Sequence, residues 1–475
     1  MLVSPLALRR LLAPPNEAAG RRLAVAGVAG ILLSAPVSLE HALAHVPQVG
    51  WLLTAVGAIL AILCLRPAWI PQPLVARIAI FVCVAFCAAS AVVAGSLTAI
   101  ALSQTEQQLL CANDVAPDTV VAGQEVIRGA NPYTSFNLLD AERALGCPFF
   151  SVSPQRSGIF AASLTAPSLA QVEAAAEATI HGHPTGGLLL GFAYPAGTAL
   201  LGVLGGRALV LIGPIALLFA GLVIVRRAEP PMRRVTILAL GAQTGLLGLV
   251  GSPFVDLIAA ALLMIAITRR RGLAVGVSLG LACAVKQTVW FVAPALLVLA
   301  LRDGRARDVR YHAGALLGFT VINLPFVVAS PSAWIAAVLG PGIKPAFPLG
   351  VGPGAAGQAG SATTTMFLVL MIAAVVGGAA ICAFASRRWA SAGIIVSSLG
   401  LWVGPRSLGD YVALLGVIAV CTVAGSSSAR SAPPGDPRLS QRDTKAISEP
   451  VACRTNVKAG ATRNPTCPAP LRVLL

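Results

Sequence analysis

The sequence predicts an all-α polytopic membrane protein, and three observations predict it. Of 475 residues, 56% are hydrophobic and only 11% charged, whereas soluble domains carry about 25% charged residues. Apolar stretches of roughly 14 to 28 residues recur along the chain, the longest each sufficient to cross a hydrocarbon core of about 30 Å. The stretches are solidly apolar rather than alternating, which excludes a membrane β-barrel.

Net charge is +16, a balance that in a soluble protein suggests nucleic acid as a partner. Here the basic residues sit in short clusters between apolar runs, the pattern of the positive-inside rule. Membrane lipids, and no nucleic acid, are the expected contacts of these clusters.

In chain order, Arg9, Arg10, Arg21 and Arg22 precede an apolar run at 23–39 with no small-residue cleavage site after it. It reads as a retained first transmembrane helix after a cytoplasmic N-terminus of residues 1–22. Further apolar runs lie at 51–66, 78–103, 208–225, 235–251, 254–268, 272–285, 288–301, 313–330, 364–385, 390–404 and 410–424. The run at 188–204 is decided by charge. If it lies in the interface without crossing, the arginines at 226, 227, 233, 234, 269–271, 302, 305, 307, 310, 387 and 388 share a side with the N-terminus. If it crosses, they fall on the opposite side. The first arrangement predicts about twelve crossings with both termini cytoplasmic and the transmembrane bundle completed by 208–424.

That arrangement leaves 104–187 outside, extended to 207 by the interfacial helix. The 104–187 stretch holds Arg128, Arg143 and Arg156 against Glu106, Asp114, Asp118, Glu125, Asp140, Glu142, Glu173 and Glu177, a net of −5. Of ten cysteines, only Cys111 and Cys147 lie in it, and an oxidising exterior allows them to form a disulfide closing the loop. The tail at 425–475 is rich in Ser and Pro, carries a net of +5, and reads as disordered and basic.

Five groups of residues carry possible chemistry. Asp114 and Asp118 follow the outer end of the 78–103 run, where a partly desolvated carboxylate suits a general base acting on a hydroxyl. The plainer reading makes them loop acids, with Asn113 or Asp118 capping a helix at Thr119–Arg128. Next, Gly129 ends that helix, Asn131-Pro132 opens a turn, and Tyr133 offers an aromatic platform. Then His181-Gly-His183-Pro184 leads to Phe192-Ala-Tyr194-Pro195, an extended approach to a helix that starts at proline. Two histidines without a carboxylate partner do not make a metal site, nor do Glu40-His41 and His45, and no metal is expected.

The fourth group is polar residues inside apolar runs: Gln243, Asp256, Lys286 with Gln287, and Asn323. Intramembrane ionisable residues face a cavity or each other, so Asp256 and Lys286 either pair or present the lysine to a lipid-linked phosphate. The fifth is Arg406 with Asp410-Tyr411. Arg406, like Lys344, departs from the positive-inside pattern, and a guanidinium there suits a phosphate or a lipid headgroup.

Taken together, the order of landmarks resembles the GT-C glycosyltransferases, and most closely glycosyltransferase family 87. The landmarks are an acid after an early span, Gly129-Ala-Asn131-Pro132-Tyr133, Tyr194-Pro195, Lys286-Gln287-Thr288 between two short helices, and Asn323-Leu-Pro325 leading to Ser330-Pro-Ser-Ala-Trp334. The resemblance covers roughly 78–424. It implies a GT-C-like bundle with a large extracytoplasmic loop containing short helices. The implied activity is transfer of a sugar, mannose by family, from a polyprenyl-phosphate donor to a glycolipid or polysaccharide acceptor of the cell envelope.

By that resemblance Asp114 is the base, with Asp118 second. Lys286 and Arg406 hold the donor phosphate, and Asn131, Tyr133, Tyr194, Asp256 and Gln287 line the substrate site. No cofactor is implied beyond the lipid-linked sugar itself. Two departures stand out: the family's Tyr-Pro-Pro is Tyr194-Pro195-Ala196, and its Lys-Pro is Lys286-Gln287. A membrane transporter or flippase of envelope precursors, and a non-catalytic relative of such enzymes, are the alternatives.

Overall fold

The computed structural model describes residues 13, 17–39, 46–66, 68–111, 115–147, 152–163, 166–183, 185–302, 306–343, 347, 349–356, 360–386 and 389–428. Most of these residues are helical. The first part supplies α1 (Ala18–Leu33), α2 (Pro47–Cys64) and α3 (Pro73–Ser103). The 104–205 segment holds α4 (Val115–Ile127), α5 (Leu138–Leu145), α6 (Leu169–Ile180) and α7 (Ala196–Gly202). Then follow α8 (Gly206–Arg227), α9 (Pro230–Gly241), α10 (Asp256–Arg269), α11 (Leu273–Val285) and α12 (Ala293–Arg302). The last are α13 (Ala306–Ala329), α14 (Pro331–Ile343), α15 (Gly360–Phe384), α16 (Ala392–Ser398) and α17 (Leu414–Ser428).

Each of the twelve apolar runs coincides with a helix or a broken pair of helices. Among the described residues, six helices are long and apolar enough to cross a membrane, at Pro47–Cys64, Pro73–Ser103, Gly206–Arg227, Val309–Ala329, Thr364–Phe384 and Gly409–Ser426. The other helices are shorter, and several runs are broken. The 235–251 run breaks after Gly241 into a 3-10 turn at Thr244–Leu249, and 288–301 opens as a 3-10 turn at Gln287–Phe291. The 390–404 run divides into α16 and Gly400–Val403. A helix of 14 residues such as α10 spans about 21 Å. The 188–204 run is not one helix: Leu188–Leu189 is extended and only Ala196–Gly202 is helical.

Small residues set the closest packing. Gly276 and Gly280 of α11 face Gly314 and Gly318 of α13, and a methyl group on Gly276 or Gly280 would overlap the Tyr311 or Ala315 carbonyl. These paired small-xxx-small stripes let the two backbones approach as packed membrane helices do. Helix α1 is Ala- and Gly-rich and buried on nearly every side, against α2, α3, α9 and α17. Gln243 fastens it: its buried Nε2 donates to the Gly27 carbonyl at 3.3 Å and to the Ala239 carbonyl. Large apolar side chains of α3, α8, α13 and α15 face outward, Phe81, Leu218, Val328 and Phe384 among them. A soluble monomer does not carry so much exposed apolar surface.

Charge is segregated along the helices. Helix α10 runs from Asp256 to Arg269 and α11 returns from Leu273 to Val285, so Asp256 and Lys286 lie at one end and the 269–271 arginines at the other, about 20 Å away. At the arginine end Arg270 reaches Ser391 Oγ at 3.3 Å, Arg302 the Cys382 carbonyl at 3.0 Å, and Arg22 the Arg66 carbonyl at 3.2 Å. Arg9, Arg10, Arg305, Arg387, Arg388 and residues 429–475 lie outside the described residues, while 425–428, expected to open the tail, continue the helix Leu414–Ser428.

The 104–205 segment docks through α7, which packs between α4 and α11. Gly202 and Gly123 bring α7 and α4 into backbone contact, and Gly197 lies against the Ala284 carbonyl. Cys111 and Cys147 are joined by a disulfide across a sequence separation of 36, a loop for which the chain-entropy account gives about 4 kcal/mol. Two residue-pair strands complete the segment and its surroundings: β1 (Ser153–Pro154) pairs antiparallel with β2 (Leu188–Leu189), and β3 (Leu349–Gly350) pairs parallel with β4 (Arg406–Ser407).

Candidate functional site

The site grows from the helix break at Lys286. A break in an apolar bundle frees carbonyls that need donors, and here they are supplied from outside the helix. Trp290 Nε1 donates to the Cys283 carbonyl at 2.8 Å, and Thr198 Oγ1 of α7 donates to the Val285 carbonyl. Gln287 Nε2 in turn donates to the Ala193 carbonyl, just before Tyr194-Pro195, and reaches the Val338 carbonyl at 3.5 Å. Asn323 of α13 accepts the Ala196 N–H on Oδ1 at 3.1 Å and donates through Nδ2 to the Phe319 carbonyl at 3.0 Å. The start of α7 is thereby tied to both sides of the break.

Extended backbone at Lys286 turns its side chain into the bundle, where it is 1% exposed. Its ammonium lies 3.0 Å from Asp256 Oδ2, 3.5 Å from Asp410 Oδ2, and 4.6 Å from the centre of the Tyr194 ring. The ion pair between Asp256 and Lys286 is therefore present, and it has a second carboxylate that the sequence listed beside Arg406 but did not join to Lys286. Nothing in a single sequence signals a pairing across more than a hundred residues. An isolated buried ammonium costs several kcal/mol, and two carboxylates and a ring face offset that cost here.

Asp410 belongs to a short stretch that also carries Arg406. Strand β4 ends at Ser407, whose hydroxyl accepts the Gly352 N–H at 2.7 Å, and Gly409–Val412 follows as one helical turn. Tyr411 follows Asp410 on that turn, and Arg406 precedes Asp410 by four residues. Arg406 Nη2 donates to Ser153 Oγ of β1 at 2.9 Å, linking β4 to the 104–205 segment. Its Nε is buried and makes no hydrogen bond among the described residues.

Above the break sits an aromatic group. Asn131 accepts the Tyr133 N–H on Oδ1 at 3.1 Å and so caps the turn Pro132–Ser135. The Tyr133 hydroxyl donates to the Tyr194 carbonyl at 2.8 Å. Its ring meets Phe192 and Phe326 edge-on at 5.4 and 6.0 Å, and Phe192 meets Tyr194 at 5.9 Å. Burial pushes the Tyr133 phenol well above its ordinary range, with the Trp334 indole pulling weakly the other way, so the hydroxyl remains a donor. Asn131 Nδ2 and Thr288 Oγ1 are, like Arg406 Nε, buried without a hydrogen bond among the described residues.

The acids divide. Asp114 lies outside the described residues. Asp118 is buried in the first turn of α4, which begins at Val115, so it is inside the helix and does not cap one starting at Thr119. Gly129, at φ +76°, ends that helix, with the Ala130 N–H donating back to the Glu125 carbonyl at 2.9 Å. His181 is exposed and meets Glu177 at 3.0 Å, while His41, His45 and Lys344 lie outside the described residues. The structure brings Asn131, Tyr133, Tyr194, Asp256, Lys286 and Gln287 into one connected network, while Arg406 lies four residues before Asp410 and bonds to Ser153.

No protein-family model matches the chain, no curated protein matches it, and no solved structure matches it.

Proposed function

We propose that this chain is an integral membrane glycosyltransferase moving a sugar, mannose by preference, from a polyprenyl phosphate to an envelope glycolipid or polysaccharide. The observation that carries the reading is the meeting of residues from five separate stretches. Tyr133, Tyr194, Lys286, Asn323 and Asp410 are joined through one network at a helix break, and Arg406 lies four residues before Asp410. In this reading the chain crosses the membrane about twelve times, including its shorter and broken helices. Both termini are cytoplasmic and the 104–207 region is extracytoplasmic.

The chemistry follows from those positions. Asp114, or Asp118 in its place, takes the proton of the acceptor hydroxyl. The hydroxyl oxygen bonds to the anomeric carbon as the bond from that carbon to the phosphate oxygen breaks. Arg406, with an unused Nε donor, and Lys286 stabilise the charge gathering on the leaving phosphate. The aromatic group of Tyr133, Phe192 and Tyr194 offers apolar faces beside that phosphate position. Fixed cations make the step metal-independent in this reading, so a chelator should leave the rate unchanged.

The test is transfer of radiolabelled mannose from polyprenyl-phosphomannose to an envelope lipid extract in reconstituted membranes. Wild type should form a labelled product, and Asp114→Asn, still folded and inserted, should lose it by a factor of at least about 100. Equal transfer by both would move the base to Asp118. No transfer by wild type would sink the donor.

A second reading, a transporter of envelope precursors, is favoured by one feature. Asp256, Lys286 and Asp410 form a buried ionic cluster of a kind that marks ion and proton pathways in membrane bundles. Uptake of labelled precursor into proteoliposomes, without sugar transfer, would select it.

A further inference from the structure

The backbone and the side chain of Arg406 have different holders. Its backbone is fixed by β3: Leu349 pairs with Arg406, the Val351 N–H donates to the Ser407 carbonyl at 3.0 Å, and the Gly352 N–H donates to the Ser407 hydroxyl at 2.7 Å. Gly350, at φ +124°, lies so close that a Cβ on it would overlap the same carbonyl. Backbone contacts do not aim a guanidinium. An arginine side chain carries about 2 kcal/mol of rotamer entropy, and fixing it takes a partner near its tip. Ser153 Oγ is such a partner, accepting from Nη2 at 2.9 Å.

Ser153 is itself firmly placed. It pairs with Leu189 across β1 and β2, the Gln155 N–H donates to the Gly187 carbonyl at 2.9 Å, and Ser157 Oγ donates to the Gly186 carbonyl at 2.7 Å. Val152 is buried in one apolar cluster with Phe136, Leu139 and Phe192. Three residues beyond Ser153, Arg156 lies over the Phe347 ring at 5.2 Å, two residues before β3. Beyond β2 the chain reaches Tyr194, whose ring lies 4.6 Å from the Lys286 ammonium. One strand pair and the residues that follow it therefore touch both cations assigned to the donor phosphate, Lys286 through Tyr194 and Arg406 through Ser153. At Nη2 the partner is a neutral hydroxyl, which orients the guanidinium and adds no negative charge. The buried Nε, without a hydrogen bond among the described residues, is a donor for a ligand.

We propose that Ser153 is a positioning residue for the phosphate ester of the donor, acting through Arg406 by fixing the direction of its guanidinium. This rests on the polyprenyl-phosphate reading above. Ser153 touches no reacting atom and moves no proton. A loosely held arginine attracts an anion by charge alone. One held at Nη2 presents its remaining donors in a fixed fork, the geometry that phosphate oxygens accept.

The experiment is isothermal titration of a short-chain polyprenyl phosphate into the full-length protein in nanodiscs of neutral lipid. Ser153→Ala should bind it about tenfold more weakly than wild type, the order of one hydrogen bond to a charged group. Ser153→Thr, which keeps the hydroxyl, should bind as wild type does. Arg406→Gln should bind more weakly than wild type, and adding Ser153→Ala to it should cause no further loss. Equal losses from Ser153→Ala in both backgrounds would mean that Ser153 acts on the fold and not through Arg406, and would overturn the proposal. Wild-type affinity in Ser153→Ala or in Arg406→Gln also overturns it, as does Ser153→Thr binding as weakly as Ser153→Ala. In each of these outcomes wild type still binds and the donor reading stands. Absence of binding by wild type overturns the donor reading, and the role of Ser153 with it.

Discussion

Asn323 Oδ1 accepts the backbone N–H of Ala196 at 3.1 Å, so a residue inside one helix of the bundle caps another that begins at Tyr194-Pro195. Capping across elements fixes where Tyr194 sits, and through its ring where Lys286 is covered. Asn323→Leu should lower stability by about 1 to 2 kcal/mol, the ordinary worth of an N-cap, read as a drop in Tm of the purified protein. Asn323→Asp, which keeps the acceptor, should lose less. Equal losses would remove the cap from the account.

The Asp256–Lys286 pair predicts a non-additive cycle. Lys286→Met leaves two buried carboxylates facing each other, and Asp256→Asn leaves the lysine with its more distant partner. Breaking a buried pair costs about 3 to 5 kcal/mol, while replacing both members costs far less. The double variant should therefore be more stable than Lys286→Met alone, by denaturant titration in detergent. Additive losses would mean that the two side chains do not interact.

Glycine packing between α11 and α13 gives a steric prediction. A side chain at Gly276 or Gly280 meets backbone, which cannot rotate away. Gly280→Leu should cost more than about 3 kcal/mol by overpacking and reduce folded yield by size-exclusion chromatography. Gly377, with open space about it, should accept Leu with little change.

The Tyr133 phenol gives a pH dependence. Its pKa in the folded protein is raised by burial above the ordinary value of about 10, so the folded state holds that proton more tightly than the unfolded chain. Its contribution is complete below about pH 10 and declines as pH rises beyond it. Tyr133→Phe should be less stable near neutrality by about 1 kcal/mol, the worth of one hydrogen bond, and its stability should fall less steeply above pH 10. Parallel alkaline slopes would show that Tyr133 titrates normally.

Much of the helical architecture was legible because it is written locally. Solid apolar runs with little charge mark helices whatever they pack against, and all twelve runs hold a helix. Their lengths were not legible. The break at Lys286 between two short helices was read from the sequence, but the 3-10 turn that follows it, the break at Gly241 and the division of the 390–404 run were not; at Lys286 the freed carbonyls are satisfied by Thr198 and Trp290. The Cys111–Cys147 bridge could be anticipated because no other cysteine lies in the 104–187 stretch. The capping role offered for Asp118 failed because α4 begins one turn earlier, at Val115.

By itself, then, the sequence determined the apolar helical class, the places where the chain turns, and the residue types gathered near those turns. These follow from composition and from periodicity within one element. Tertiary structure alone decided that Lys286 has two carboxylates, that Arg406 reaches Ser153, and that Asn323 serves a helix 127 residues away. Those relationships are distances between elements far apart in the chain. They are set by how closely glycine-lined backbones approach and by which donor lies nearest an unsatisfied acceptor, and neither quantity is local in sequence.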